Sequence, residues 1–363
     1  MRLQRWVVFL AFTAPYAGAQ FLTLSSSGVF LPNPGAELGI DGGSQQLKFK
    51  YTGASSQFNI PDFVVVIPSS GTTPAGIQVG LNPDVVAQME PGAKYSLDIS
   101  FATVDQTPAQ TVTGVVTLIV PSAPPPSVQS VVNAASLQPN LSPGALVSVF
   151  GSNLTGPVLS TNYDDTASYP TSVAGTSVAF NGTAAPLLYL SPSQINAIVP
   201  FALAGQTSAQ VVVQRFNQVS ATFTLPLQDT SPGVFTATQT GSGLGAILQQ
   251  GANGLFTYNG SDNPAPGGTA LEIFATGMGV WTPPPQSDVF LTGEGFTTQP
   301  VSVTIGGQPA KLLYAGTLGS QGSWSVLQVN AVVPAGLGSG PQPLVLKIGA
   351  SDNSQQKVTV WVQ

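Results

Sequence analysis

A seven-residue phrase occurs twice in this chain, as Gln194-Ile195-Asn196-Ala197-Ile198-Val199-Pro200 and as Gln328-Val329-Asn330-Ala331-Val332-Val333-Pro334. Each copy follows a Leu-Leu-Tyr triplet, at residues 187–189 and 312–314. The alternation of amides with apolar residues is typical of a half-buried β-strand that carries both amides on one face. The duplication therefore predicts two copies of one β-structured unit.

The composition favours β-structure throughout the chain. Only 7% of the 363 residues are charged, while Gly (40) and Pro (32) are abundant and separate many short runs of Val, Ile, Leu and Phe. Such runs, bounded by turn residues, are typical of many-stranded β-sandwiches. The chain has no Cys and no His, which excludes thiol nucleophiles, disulfides, Cys/His zinc sites and His-dependent catalytic triads. We predict no cofactor, no metal site and no catalytic residues.

The first nineteen residues predict export. Arg2 and Arg5 precede the apolar stretch 6–14, and Ala17-Gly18-Ala19 matches a cleavage pattern, so residues 1–19 are predicted to be a signal peptide. No second long apolar run follows, which predicts no membrane span in the mature chain. We expect a periplasmic or extracellular location.

The predicted mature chain is acidic. Removal of the two signal arginines from nine basic residues leaves seven basic against fifteen acidic residues, a net charge of −8. Scattered cations in an acidic chain do not form the basic surface that nucleic acids require, so nucleic acid binding is not expected. The sequence does not indicate an oligomeric state.

Turn signals and a Pro-rich stretch divide the chain into three predicted immunoglobulin-like sandwiches. In the first, residues 82–89 predict one helical turn with Asn82 as its cap. In the second, the Asn181-Gly182 hairpin signal separates strand 176–180 from a return strand at 184–190. The third differs mainly by nine extra residues within 315–326. The predicted segments are 1–19 (signal), 20–120 (first sandwich), 121–127 (linker), 128–228 (repeat 1) and 229–363 (repeat 2).

Two stretches resemble known families. The phrase Pro68-Ser69-Ser70-Gly71-Thr72-Thr73-Pro74-Ala75, with the strands that follow it, resembles the BACON domain, although Phe63-Val64 stands where that family usually has Trp-Leu. Over 128–363 the chain resembles the Solibacter-type C-terminal domain family of exported acidobacterial proteins. The phrases that carry this second resemblance are V-V-N-A-A-S (131–136), S-P-G-A-L-V-S-V-F-G-S-N-L (142–154), S-P-G-V-F (231–235) and A-T-G-M-G (275–279), together with the duplicated phrase. Both resemblances imply immunoglobulin-like architecture. The BACON resemblance also implies an association with carbohydrates, and the second family implies no defined activity.

Few side chains are candidates for function. The pairs Gln194/Asn196 and Gln328/Asn330 present two amides on one strand face, either for a ligand or for bonds to neighbouring loops. Trp281 and Trp324 are candidate ligand-binding aromatics, the alternative being a place in the sandwich core. Asp164-Asp165 could contribute to a Ca²⁺ site, although adjacent acidic residues without an EF-type pattern more often belong to a solvated loop.

The sequence favours an exported, non-enzymatic structural or adhesion-type binding protein. Its expected partner is a glycan or another component of the cell envelope. The alternative is a carbohydrate-binding module protein, and a carboxylate-based glycoside hydrolase is a remote third hypothesis.

Overall fold

The protein is all-β in a computed structural model that describes residues 23–24, 28–31, 36–43, 46–55, 62–86, 88–156, 159–160, 169–251, 253–282, 295–317, 325–353 and 356–363. The predicted signal peptide lies outside these residues. The chain divides into two compact units, Met1–Pro124 and Pro125–Gln363, and the division falls inside the Pro-rich stretch. Of the helices that the structure describes, none has the length and hydropathy needed to cross a membrane.

The first unit is a pair of sheets packed face to face. Its sheets have the strand orders β1-β3-β7-β5 and β2-β9-β8-β4-β6. Large apolar side chains such as Phe49, Ile77 and Phe101 fill the space between them. The helical turn is shorter than predicted, and Asn82 precedes it as expected. The elements are β1 (Thr23–Leu24), β2 (Gly28–Leu31), β3 (Ala36–Asp41), β4 (Lys48–Ser55), β5 (Val64–Ile67), β6 (Ser70–Thr72), β7 (Ala75–Leu81), α1 (Pro83–Val86), β8 (Lys94–Thr103) and β9 (Thr111–Ile119).

Repeat 1 of the second unit has two sheets. One has the order β10-β11-β17-β16-β12, and the other is built on β13-β14-β18-β19, with β15 beside β14 and β20 beside β18. Its strands are β10 (Ser127–Asn133), β11 (Leu146–Ser152), β12 (Leu159–Ser160), β13 (Ser172–Val173), β14 (Thr176–Phe180), β15 (Thr183–Ala184), β16 (Leu187–Leu190), β17 (Gln194–Ile198), β18 (Ser208–Arg215), β19 (Gln218–Val219) and β20 (Phe223–Pro226). A 3-10 turn, Phe201–Leu203, follows β17.

Repeat 2 has a continuous main strand path, β22-β33-β31-β28-β29-β30-β25-β23-β24. Its strands are β21 (Gly233–Val234), β22 (Gly243–Leu244), β23 (Ile247–Gln250), β24 (Phe256–Tyr258), β25 (Ala270–Thr276), β26 (Trp281–Thr282), β27 (Phe296–Thr297), β28 (Val301–Ile305), β29 (Gln308–Thr317), β30 (Leu327–Val332), β31 (Gly340–Ile348), β32 (Ser351–Asp352) and β33 (Val358–Val362). Each repeat has its own core of buried aliphatic side chains.

The duplicated phrase forms a central strand in both repeats. In repeat 1 it is β17, between β11 and β16; in repeat 2 it belongs to β30, between β25 and β29. Ile195, Ala197 and their counterparts Val329 and Ala331 have no exposed surface. Full burial of an Ile or Val side chain stabilises the fold by about 1.5–3 kcal/mol. The period-2 prediction for this strand is confirmed.

The Leu-Leu-Tyr triplets form a β-bulge at the same place in both repeats. In repeat 1, Leu187 pairs with Ala197 and Tyr189 pairs with Asn196, so Leu188 is the extra residue. In repeat 2, the triplet 312–314 pairs in the same way with Ala331 and Asn330. A bulge turns the following side chain relative to the strand. The triplet therefore aligns each tyrosine with the asparagine of the duplicated phrase.

The prediction of one continuous return strand at 184–190 is wrong, because the structure divides it into two strands. Thr183–Ala184 pairs with β14, whereas Leu187–Leu190 crosses to the other sheet and pairs with β17. Pro186 lies at the crossing and has no N–H to donate to a ladder. Repeat 2 has Lys311 at the equivalent position, and there β29 continues without a break from β28 to β30.

Buried polar contacts join the two repeats. Asn133 Nδ2 donates to the Ser231 carbonyl (2.8 Å), and Asn133 Oδ1 accepts from the N–H groups of Ala135 (2.9 Å) and Ser136 (3.1 Å). Ser231 Oγ donates to Ser142 Oγ (2.9 Å). These residues belong to three of the phrases that carry the second family resemblance, so those phrases meet at one structural junction.

Candidate functional site

The two amides of each duplicated phrase bond to each other. Gln194 Nε2 donates to Asn196 Oδ1 (2.8 Å), and Gln328 Nε2 donates to Asn330 Oδ1 (3.0 Å). All four side chains are half-buried and face away from the cores. Among the described residues, these amides bond to each other and to side chains of neighbouring strands, so each pair is a fixed polar group on its sheet face.

Repeat 2 extends its amide pair into a row of side chains that crosses five strands. The strand registers place Tyr258 opposite Leu248, Leu248 opposite Glu272, Glu272 opposite Asn330, and Asn330 opposite Tyr314. Four steps between neighbouring strands give the row a length of about 19 Å. An aromatic ring thus stands at each end, with Leu248, Glu272 and Asn330 between.

A second, shorter row lies beside the first. Phe274 is opposite Gln328, Gln328 is opposite Gly316, and Gly316 is opposite Phe296. The rings of Phe296 and Tyr314 meet edge to face, with their centroids 6.0 Å apart. Phe296 is exposed. We name the side chains of these two rows the outer face of repeat 2.

Glu272 is the carboxylate of this face. Its Oε1 accepts a hydrogen bond from Gln328 Nε2 (3.3 Å), which links the carboxylate to the amide pair. Burial raises the pKa of the Glu272 carboxyl above its usual value. Its neighbours across the ladder are Leu248 and Asn330, neither of which carries a charge.

Strand β24 presents the most exposed aromatic side chain of the face. Tyr258 is 78% exposed and Phe256 39%. The next residue, Asn259, is buried and fixes the end of the strand: its Nδ2 donates to Gln249 Oε1 (2.7 Å) and to the Trp361 carbonyl (2.8 Å), and its Oδ1 accepts from the Trp361 N–H (2.8 Å). Tyr258 is therefore held in place by its backbone while its ring remains open to solvent.

Repeat 1 has a simpler version of the same face. Its row runs through Val132, Ser148, Asn196, Tyr189 and Ser160. Ser148 stands where repeat 2 has Glu272, and its Oγ donates to Asn196 Oδ1 (3.0 Å). The described strands of repeat 1 include no counterpart of β24. Repeat 2 therefore adds a carboxylate and exposed rings to a shared arrangement.

Of the two predicted tryptophan candidates, the structure describes Trp281, which does not lie on this face. Trp281 is 2% exposed, belongs to the core of repeat 2, and lies with its ring centroid 6.5 Å from that of Phe201. Trp324 and the pair Asp164-Asp165 lie outside the described residues. Within the part of the chain that the structure describes, no three acidic side chains form a group that could hold a metal ion.

The sequence reasoning missed Phe256, Tyr258 and Glu272. A signal for the first two is present: Leu255-Phe256-Thr257-Tyr258 lies between the turn residues Asn253-Gly254 and Asn259-Gly260. This arrangement is typical of a short hairpin strand. The contribution of Glu272 depends on cross-strand register, which single-strand periodicity does not specify.

A polar cleft of about 310 Å³ lies at the junction of the repeats. Its lining includes Ser136, Gln138, Asp352, Asn353 and Gln356. Gln356 is buried and already bonded, since its Oε1 accepts from the Val234 N–H (2.9 Å) and its Nε2 donates to the Ala135 carbonyl (3.1 Å). The inner wall of the cleft therefore stabilises the junction and does not direct this amide toward a ligand.

Comparisons with known proteins assign no family. No protein-family model matches the chain, and no curated protein matches it. The solved structures that it resembles include the SGBP-B protein of a Bacteroides ovatus mixed-linkage glucan utilization locus, in complex with a mixed-linkage heptasaccharide (12% identity, 97% of this chain and 68% of that chain, TM-score 0.28). They also include the extracellular region of plexin A4, domains 1 to 8 (10% identity, 92% and 33%, TM-score 0.24), and domains 5–6 of the S-layer protein SbsC (14% identity, 58% and 98%, TM-score 0.20).

Proposed function

We propose that this protein is an exported, non-enzymatic binding protein that holds its ligand on the outer face of repeat 2. The observation that carries the proposal is the exposed ring of Tyr258, aligned in register with Glu272 and Asn330. Exposed aromatic and apolar groups beside ordered polar groups are typical of interaction surfaces. Export is supported by the sequence pattern of residues 1–19.

The non-enzymatic role is supported by the surroundings of Glu272. A carboxylate-based glycoside hydrolase needs a second carboxyl group across the scissile bond. The cross-strand neighbours of Glu272 are Leu248 and Asn330, and the side chain that bonds it is Gln328. The raised pKa of Glu272 follows from burial and needs no catalytic role to explain it.

A binding experiment with cell-envelope material tests the proposal. The mature chain would be sedimented with purified peptidoglycan sacculi, with outer-membrane vesicles and with extracellular polysaccharide. We expect binding to at least one fraction, and at least a fivefold loss for the double variant Phe256→Ser/Tyr258→Ala. Val219 is an exposed valine in repeat 1, and Val219→Ser is the control that should bind like the parent. Equal binding by the double variant and the parent would refute the proposed surface.

A further inference from the structure

We infer that the ligand of the outer face of repeat 2 is an uncharged glycan chain laid across the strands, an inference that rests on the proposed binding role of this face. The juxtaposition that points to it is a row with an aromatic ring at each end and the hydrogen-bonding side chains of Glu272 and Asn330, beside Leu248, between them. Tyr258 is one end, and the Tyr314–Phe296 pair is the other.

The aromatic ends match the apolar faces of sugar rings. A pyranose presents C–H groups on its two faces, and a tyrosine offers a flat apolar ring with a polar edge. The distance of about 19 Å between the ends of the row leaves room for several consecutive sugar rings. Both ends are positioned before any ligand arrives: Asn259 fixes the backbone after Tyr258, and Tyr314 Oη donates to the Thr317 carbonyl (2.7 Å).

The middle of the row matches sugar hydroxyl groups. A hydroxyl both donates and accepts hydrogen bonds, and so does a side-chain amide, whereas a carboxylate only accepts. Glu272 and Asn330 in the first row, with Gln328 beside them in the second, therefore offer both kinds of group. Their mutual bonds of 3.3 and 3.0 Å order them in advance. Ordered groups lose less conformational entropy when a ligand binds.

The charge of the face selects against anionic polymers. Sulfated or uronic-acid glycans are held by clustered Arg and Lys. The two rows contain one carboxylate, Glu272, and no basic residue, and the predicted mature chain has a net charge of −8. The same balance disfavours an anionic membrane surface, which attracts basic residues.

The arrangement also differs from that of a protein-binding patch. A protein interface concentrates apolar side chains at its centre and polar ones at the rim. Here polar and apolar groups alternate instead, because Glu272 and Asn330 lie between Leu248 and Tyr314 in the first row, and Gln328 lies beside Phe274 in the second. A linear polymer with alternating apolar faces and hydroxyl edges fits this order.

Affinity electrophoresis of the mature chain tests the inference. Native gels would contain hydroxyethyl cellulose, xyloglucan, galactomannan or laminarin as neutral glycans, and alginate or carrageenan as anionic ones. We expect at least one neutral glycan to retard the chain and neither anionic glycan to do so. Tyr258→Ala and Asn330→Ala should each weaken that retardation at least tenfold. Because the Tyr258 ring is exposed, its removal leaves folding intact, which circular dichroism verifies.

Repeat 1 supplies the matched control. Tyr189 is the equivalent of Tyr314, but the described row that contains Tyr189 has no carboxylate and no exposed ring at its far end. Tyr189→Ala should therefore change the retardation by neutral glycans less than twofold. Retardation by anionic glycans alone, or by no glycan of the panel, overturns the inference. Either result leaves the proposed function in place if Tyr258 is still needed for binding to cell-envelope material. The ligand would then be a protein or a lipid. If neutral glycans bind but Tyr258→Ala binds as the parent does, both the inference and the proposed surface fail.

Discussion

Replacement of Asn133 by alanine should destabilise the junction between the repeats strongly. The Asn133 side chain has no exposed surface, and it makes the three hydrogen bonds described above to Ala135, Ser136 and Ser231. A buried backbone group that loses its partner costs about 1–3 kcal/mol. With three groups left unpaired, even the low end predicts a loss of about 3 kcal/mol. That is a large part of the 5–15 kcal/mol that is typical of folded domains.

Urea denaturation with two optical probes measures this loss. The tryptophans of the predicted mature chain, at positions 281, 324 and 361, all belong to repeat 2, so their fluorescence reports that repeat together with the contact of Trp281 with Phe201 of repeat 1. Far-UV circular dichroism reports every strand. Because Asn133 belongs to repeat 1 and bonds to Ser231 at the start of repeat 2, we expect the fluorescence midpoint to fall in the variant as well. Asn140 lies on the same segment but is exposed, and Asn140→Ala should change stability by less than about 0.5 kcal/mol.

Two results would refute this reasoning. A loss below about 1 kcal/mol for Asn133→Ala would mean that the three bonds contribute no more than one ordinary hydrogen bond. A dichroism midpoint that falls while the fluorescence midpoint stays unchanged would mean that the repeats unfold independently. The junction would then not couple them.

Substitutions at Tyr51, at Glu272 and at two glycines give three independent tests. The Tyr51 hydroxyl is buried without a hydrogen-bond partner among the described residues, and burial, with Asp62, raises its pKa to about 12; Tyr51→Phe should raise the stability of the first unit by up to about 1 kcal/mol. Because the pKa of Tyr51 is higher in the folded state, the parent protein loses stability as the pH rises above 10, whereas the Tyr51→Phe variant does not lose this contribution. The urea midpoint of the variant should therefore exceed that of the parent by more at pH 11 than at pH 8. The raised pKa of Glu272 likewise means that its protonation favours the folded state, so Glu272→Gln should gain at most about 0.5 kcal/mol at pH 7 and nothing at pH 3, measured by thermal unfolding. Gly277 has a φ of +85°, and a Cβ there would lie 2.0 Å from the Ser231 carbonyl oxygen, so Gly277→Ala should reduce stability by more than about 2 kcal/mol or prevent folding. Gly254 has a φ of +79° but open space around it, so Gly254→Ala is the matched control and should reduce stability by about 1 kcal/mol. Equal costs for the two glycine variants would contradict the proposed contact.

Local patterns predicted much of the fold. The alternation in the duplicated phrase predicted its buried positions, since the period of a strand is a property of its own residues. The hairpin at Asn181-Gly182 is confirmed: both residues have positive φ and connect two paired strands. The break at Pro186 was not predicted, because the choice between a continuous strand and a crossing to the other sheet depends on which partner strand is nearest. A single strand does not contain that information.

The outer face of repeat 2 was predicted only in part. The amide pairs were recognised because they occur within one strand. Tyr258, Glu272 and Asn330 come together from positions up to 72 residues apart, through the registers of β24, β23, β25 and β30. Trp281 was selected for its size and indole ring, which are also the properties that stabilise a sandwich core. The sequence around Trp281 does not distinguish these two roles.

The unbroken β29 has a mechanical consequence. One strand is hydrogen-bonded to β28 through residues 308–310 and to β30 through residues 311–317, so shear between the two layers of repeat 2 strains both ladders at once. In repeat 1 the chain changes sheets at Ala185-Pro186 in the same place, and the two described strands on either side, β15 and β16, each pair with one sheet only. The continuous strand should therefore make repeat 2 the more resistant of the two repeats to shear between its layers. The row from Tyr258 to Tyr314 would then keep its spacing while the chain is under tension.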